Sequence, residues 1–131
     1  YLGGDTLAND SGMTYNPSTN ILSLTDVIAS SDERQKDIIE PITGALDKVC
    51  ALDGFIYKWN DKASSKDTVT RQIGVSAQDV QAVLPEAVHE KDDGYLGVAY
   101  DKLIPLLVES IKELRAEVEE LKIINSNEGQ S

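Results

Sequence analysis

A small α+β domain that closes on a long helix, with a β-rich segment ahead of it, follows from three features of this chain. Residues 1–30 hold no Lys or Arg and are dominated by Gly, Ser, Thr, Asn and Asp. From Ser31 onward, short runs of strand and helix character alternate between turn residues. The last third carries apolar residues at alternating spacings of three and four. At 131 residues the chain is about one domain long, and its 40% hydrophobic content supports a modest core.

In the first segment, Met13-Thr14-Tyr15 and Asn20-Ile21-Leu22-Ser23-Leu24 are β-prone runs around the turn signal Asn16-Pro17-Ser18-Thr19-Asn20. Thirty such residues carry too little apolar surface to fold alone. They are expected to form the end of an elongated β-structure stabilised by neighbouring chains or upstream repeats. The start at Tyr1, with no leader-like segment, is expected of a piece of something longer.

The compact part begins at Ser31. Ile42, Leu46, Val49 and Leu52 have helical spacing, with Pro41 at the start and Asp53-Gly54 as the stop. Phe55 to Trp59 reads as a strand, a polar loop runs from Asn60 to Val69, and Thr70 to Val75 reads as a second strand. A short helix is expected from Ala77 to Leu84, ended by Pro85. Ala87 to Glu90 and Tyr95 to Tyr100 flank Lys91-Asp92-Asp93-Gly94, a hairpin turn.

The final helix is expected over about residues 101–124. Ile104, Ile111 and Val118 fit heptad position a, and Leu107, Leu114 and Leu121 fit position d. Glu117 then falls at g and Lys122 at the following e, placed to pair across a helix interface. Such a seam serves self-association; a helix packed only on its own domain is the competing reading. Ile and Val at a with Leu at d would by themselves favour two strands.

Charge excludes several classes. Twelve basic residues against 23 acidic ones give a net charge of −11 with no basic stripe, so neither nucleic acid nor an anionic membrane surface is an expected partner. The apolar stretch from Leu103 to Val108 is far shorter than the ~20 residues of a spanning helix. One cysteine permits no internal disulfide, and one cysteine with one histidine supplies no zinc site. Neither a metal nor a cofactor is expected, since the nine glycines are scattered and form no phosphate loop. His89 reads as an exposed strand residue, and Cys50, beside Leu46 and Val49, as a buried inert thiol.

Chemistry concentrates in Ser30-Ser31-Asp32-Glu33-Arg34-Gln35-Lys36, at the compositional boundary. On spacing alone this is a helix start, with Ser30 as N-cap and Glu33 completing a capping box. The sharper reading is a Ser31–Lys36 dyad, in which a neutral lysine takes the serine proton. Burial or a neighbouring cation such as Arg34 would have to favour the neutral lysine. Residues five apart diverge by about 140° on a helix and face opposite sides of a strand. The two side chains therefore meet only across a turn or across chains, and assembly is expected to create the contact.

Ser31-Asp32-Glu33-Arg34-Gln35-Lys36-Asp37-Ile38-Ile39 resembles the S-D-x-R-x-K-x-x-I start of the C-terminal intramolecular chaperone domain of phage tail spikes and fibres. That autoprocessing domain is known from endosialidase tailspikes, neck appendages and L-shaped tail fibres. Ala45-Leu46 to Leu52 with Gly54 to Trp59 is similar to its A-L…L-x-G-x-x-Y-x-W segment. Ile73 to Val80, followed by Leu84 to Val88, is similar to its I-G-x-x-A-Q-x-V…P-E-x-V block. Tyr95 to Tyr100, Leu103 to Leu107 and Ile111 to Leu114 resemble its ending, and Tyr15 to Leu22 is similar to strand–turn–strand units of phage fibres.

The resemblance implies a homotrimer, against the two-stranded preference of the heptads, and a division at Ser31. Residues 1–30 would be the end of a fibre or spike, and residues 31–131 a chaperone released by cleavage of Ser30–Ser31. Ser31 would be nucleophile and Lys36 its partner, with Asp32 and Arg34 as candidate supporting residues and Arg34 or backbone N–H groups facing the oxyanion. The implied partners are other copies of the chain and its own upstream fibre domains. Assembly would take place in the host cytoplasm, and the mature fibre would sit on the virion tail. Two alternatives stand beside this: a non-enzymatic trimeric fibre tip, and the related self-cleaving domain of membrane-tethered transcription factors such as myelin regulatory factor. The phage-like Asn-Pro-Ser-Thr-Asn turn and the lack of a membrane helix weigh against the second.

Overall fold

A computed structural model describes residues 12–65 and 67–129, so the expectation for residues 1–11 lies outside the described residues. The chain forms a small α+β structure, divided into one unit of residues 1–37 with 56–72 and another of residues 38–55 with 73–131.

In the first unit β1 (Met13–Asn16) and β2 (Ile21–Leu24) form the expected antiparallel hairpin, with Met13 opposite Leu24 and Asn16 opposite Ile21. Its turn is built from side-chain amides. The Asn16 Oδ1 accepts the Ser18 N–H at 2.9 Å, and Asn20 adopts φ 59°, a left-handed conformation that asparagine tolerates. Tyr15 donates its hydroxyl proton to the Asn20 Oδ1 at 2.7 Å, while the Asn20 Nδ2 donates to the Ser64 carbonyl at 3.0 Å. Every hairpin residue except Met13 is exposed, so neither face is buried within one chain. In the same unit Tyr57 and Trp59 meet edge to face, with ring centroids 5.0 Å apart.

The second unit holds the core. Ala45, Val80, Ala87 and Leu106 are fully or almost fully buried, together with the small polar residue Ser110. Helix α1 (Ala45–Cys50) packs on the long helix α3 (Leu103–Glu128), and α2 (Ala77–Val83) packs on the hairpin of β5 (Val88–Glu90) and β6 (Leu96–Val98). Ser76 caps α2 by accepting the Asp79 N–H, and the Pro85–Ala87 3-10 turn follows, as the proline requires. The β5–β6 register sets Val88 against Val98 and Glu90 against Leu96, with Gly94 at φ 85° in the turn. Strands β3 (Phe55–Tyr57) and β4 (Gln72–Gly74) are shorter than expected, and the division into units passes through both.

Two expectations are corrected here. Helix α1 begins at Ala45, four residues after Pro41, because Gly44 at φ 62° breaks the helical path. The start is instead fixed from α3, where the Glu113 carboxylate accepts the Ala45 N–H at 2.7 Å. Cys50 is exposed rather than buried. On a six-residue helix whose buried face is Ala45, position 50 points about 140° away from that face. His89 is exposed on β5, as expected.

Candidate functional site

The segment from Ser31 to Lys36 folds as a single 3-10 turn, Glu33–Gln35. Its N-cap is Asp32, not Ser30, so the capping box with Glu33 does not form. Asp32 wins because its carboxylate is gripped from two sides. The Oδ1 accepts the backbone N–H of Arg34 at 2.9 Å, and the Arg34 Nη2 and Nε donate to the same carboxylate at 2.7–3.3 Å. Two backbone hydrogen bonds close the turn, Gln35 N–H to the Asp32 carbonyl and Lys36 N–H to the Glu33 carbonyl. Lys36 leaves the turn in an extended conformation, φ −124° and ψ 136°.

Entry and exit as extended backbone on either side of a tight turn bring two side chains to one place. The Lys36 Nζ donates to the Ser31 Oγ at 2.7 Å, within one chain. Helix and strand periodicities do keep these residues apart, but a turn needs no second chain to join them, so the expectation that assembly creates the contact is corrected. Both residues are exposed to water. Ser30, on the other side of the Ser30–Ser31 peptide bond, is exposed as well.

Electrostatics around this turn centre on Asp32. The side-chain hydrogen bonds from Arg34, followed by its backbone N–H, hold the Asp32 carboxyl below the usual carboxylate range. Arg34 in turn is raised by Asp32. The guanidinium is thus paired with the Asp32 carboxylate through Nε and Nη2. Spacing did not disclose the Asp32–Arg34 pair, although an aspartate two residues ahead of an arginine beside a turn is the signal that would have found it.

The seam residues lie on α3. That helix has two apolar faces. Leu106 and Ser110 face the domain's own core, while Ile104, Leu107, Ile111, Leu114, Val118 and Leu121 remain 41–65% exposed. At 100° per residue the two stripes are centred roughly 90° apart. Packing on the domain itself therefore does not account for the heptad stripe. Lys122 meets Glu119 at 3.4 Å and Lys112 meets Glu109 at 3.1 Å, both within the helix and both exposed. Among the described residues, no group of His, Cys, Asp or Glu is arranged to hold a metal, and no helix is long and apolar enough to cross a membrane.

Comparison with known proteins places these residues in context. Residues 31–89 match the Peptidase_S74 family, described as chaperone of endosialidase, and the match starts at Ser31. The chain is 43% identical over 103 residues to the long tail fiber protein Gp37 of Enterobacteria phage K3, covering 74% of this chain and 8% of that protein. The Gp37 protein of Enterobacteria phage T2 gives the same identity and coverage. Gp37 of Enterobacteria phage Ox2 is 35% identical over 115 residues, covering 85% of this chain and 45% of that protein. The chain thus spans less than half the length of these relatives.

Proposed function

From the match of residues 31–89 to the chaperone-of-endosialidase family, we propose that the chain is a tail-fibre trimerisation chaperone that cuts itself free at Ser30–Ser31. The observation that carries this reading is the 2.7 Å contact between the Lys36 Nζ and the Ser31 Oγ, one residue past the bond to be cut. In the free-base form of Lys36, the same contact runs in reverse, with the hydroxyl donating and the amine accepting.

The chemistry follows from that geometry. The Ser31 Oγ attacks the Ser30 carbonyl carbon as Lys36 takes the hydroxyl proton. Lys36 returns the proton to the departing Ser31 α-nitrogen as the C–N bond breaks, leaving Ser30 in ester linkage to the Ser31 oxygen. Water then cleaves the ester, giving a Ser30 carboxylate, a free Ser31 hydroxyl and a new Ser31 amine. Backbone N–H groups, and the Arg34 donors that its pairing with Asp32 through Nε and Nη2 leaves over, are the candidates to stabilise the oxyanion. The reaction turns over once and separates residues 1–30 from 31–131.

Trimerisation gives the cut its purpose. The uncovered α3 stripe supports self-association, and the β1–β2 hairpin, exposed at every strand residue but Met13, supports a fibre end completed by neighbouring chains. Interwoven β-fibres need several chains in register before any one gains packing energy. A C-terminal domain that associates on its own raises the effective concentration of the three chains. Cutting it off afterwards removes the path back and makes the fibre kinetically stable. The mature fibre would sit on the virion tail, with chaperone and fibre assembling in the host cytoplasm. The relatives are tail-fibre proteins, which leaves the transcription-factor alternative without support.

Exposure of Ser31 and Lys36 in the single chain favours a second reading, a non-enzymatic fibre-tip module with an inert dyad. Ser31→Ala and Lys36→Ala decide between them. Each is expected to abolish the fragment that begins at residue 31, by intact mass, while leaving the oligomer unchanged. Normal cleavage in Lys36→Ala would remove the dyad assignment.

A further inference from the structure

We propose that Asp32 is the positioning residue of the self-cleaving site, holding Ser31 and Lys36 in contact through the turn it caps and Arg34 clamps. The inference rests on the self-cleavage reading above. The 3-10 turn has no buried residue, so core packing does not fix its shape. A three-residue turn closed by two backbone hydrogen bonds is not stable by propensity either. What remains is the Asp32 carboxylate, which accepts from the Arg34 backbone N–H at 2.9 Å, from its Nε at 3.1 and 3.3 Å, and from its Nη2 at 2.7 Å. These contacts tie residue 32 to residue 34 across the turn. Ser31 is joined directly to the clamped residue on one side, and Lys36 leaves the turn directly on the other, with its Nζ returning to the Ser31 Oγ at 2.7 Å.

The effect is on geometry, not on global stability. An exposed ion pair adds little to folding, and Arg34 and Asp32 keep 89% and 44% of their side-chain surface exposed. A reacting pair held in place gains far more, because displacing it by about 1 Å costs up to ~100-fold in rate. Asp32 touches neither the hydroxyl nor the amine. It acts through the backbone, so the acceptor oxygen matters more than the negative charge.

The test uses the full chain and follows the fragment beginning at residue 31 by intact mass over time, with oligomer and melting temperature measured in parallel. Asp32→Ala is expected to slow cleavage by about fivefold or more with both parallel measurements unchanged. Asp32→Asn, which keeps an oxygen for the Arg34 N–H, is expected to recover most of that loss. A merely structural role would not be rescued selectively in rate at constant melting temperature. A loss smaller than about fivefold in Asp32→Ala, or Asp32→Asn as slow as Asp32→Ala, overturns the inference. If Asp32→Ala fails to assemble, Asp32→Glu, which keeps the charge but moves the acceptor one methylene away from the Arg34 N–H, carries the test with the same threshold. Ser31→Ala, run alongside, separates the two claims: cleavage persisting there defeats the self-cleavage reading itself, whereas loss there with Asp32→Ala unaffected defeats only the positioning role.

Discussion

Replacing Ile111 and Leu114 together by Asp probes the second apolar face of α3. The six heptad residues keep 41–65% of their surface exposed in one chain. Full burial of an aliphatic side chain is worth about 1.5–3 kcal/mol. The part still outside is therefore worth roughly 1 kcal/mol per residue, and about 5–9 kcal/mol per chain when all six are covered. Association itself costs ~4–15 kcal/mol, so the seam is a large share of the driving force and two of its six residues are not dispensable. The double substitution removes about a third of that apolar term and drives two carboxylates from each chain into a closed seam, where unpaired charge is costly. We expect association to weaken at least about 100-fold. The chain's own fold should survive, since α3 packs on its domain through Leu106 and Ser110. Sedimentation velocity at micromolar concentration reads the oligomer, and far-ultraviolet circular dichroism reads the helix. The reasoning is refuted if the variant still sediments at three times the chain mass, or if the unsubstituted chain is already a monomer.

Two further outcomes follow from single contacts. Glu113→Ala removes the carboxylate that accepts the Ala45 N–H and should cost about 1–2 kcal/mol in thermal unfolding, with Glu113→Gln milder; equal melting temperatures for all three would show the cap to be idle. Asp32 has a lowered folded value, so its link to Arg34 contributes above the ordinary carboxylate pKa of about 4 and is lost as pH falls through the lowered one. The side-chain carboxyl carbon of Asp32, followed by nuclear magnetic resonance, should accordingly titrate below the ordinary aspartate value of about 4, and a midpoint at or above it would contradict the clamp.

Local pattern made the hairpins and helices legible. Asn16-Pro17-Ser18-Thr19-Asn20 and Lys91-Asp92-Asp93-Gly94 carry their turn chemistry in adjacent residues, and both hairpins form where those signals place them. Ser76 and Pro85 bracket α2 in the same way. The start of α1 was not legible, because its cap is a carboxylate 68 residues further along the chain. Cys50 was misplaced for a related reason. Apolar neighbours in sequence suggest burial, but on a helix this short the direction of the packing partner decides it. At the candidate site the residues were legible and the geometry was not. Periodicity arguments cover only regular helix and strand, and a 3-10 turn capped by Asp32 is neither. The heptad stripe was visible as a pattern, yet only the placement of Leu106 and Ser110 shows that the domain's own core does not use it.

Water exclusion is a requirement of the proposed chemistry that a single chain does not meet, since Ser31 and Lys36 are in contact but exposed. A neutral lysine is favoured by a dry site, which neighbouring chains would supply on assembly. The most direct measurement is a time course of intact mass on the full chain, resolved by oligomeric state. The account predicts a fragment beginning at residue 31 that accumulates in the trimer, and none in the Ile111→Asp, Leu114→Asp monomer although its Ser31 and Lys36 are intact. A trimer that never yields that fragment, or a monomer that yields it at the same rate, would contradict it.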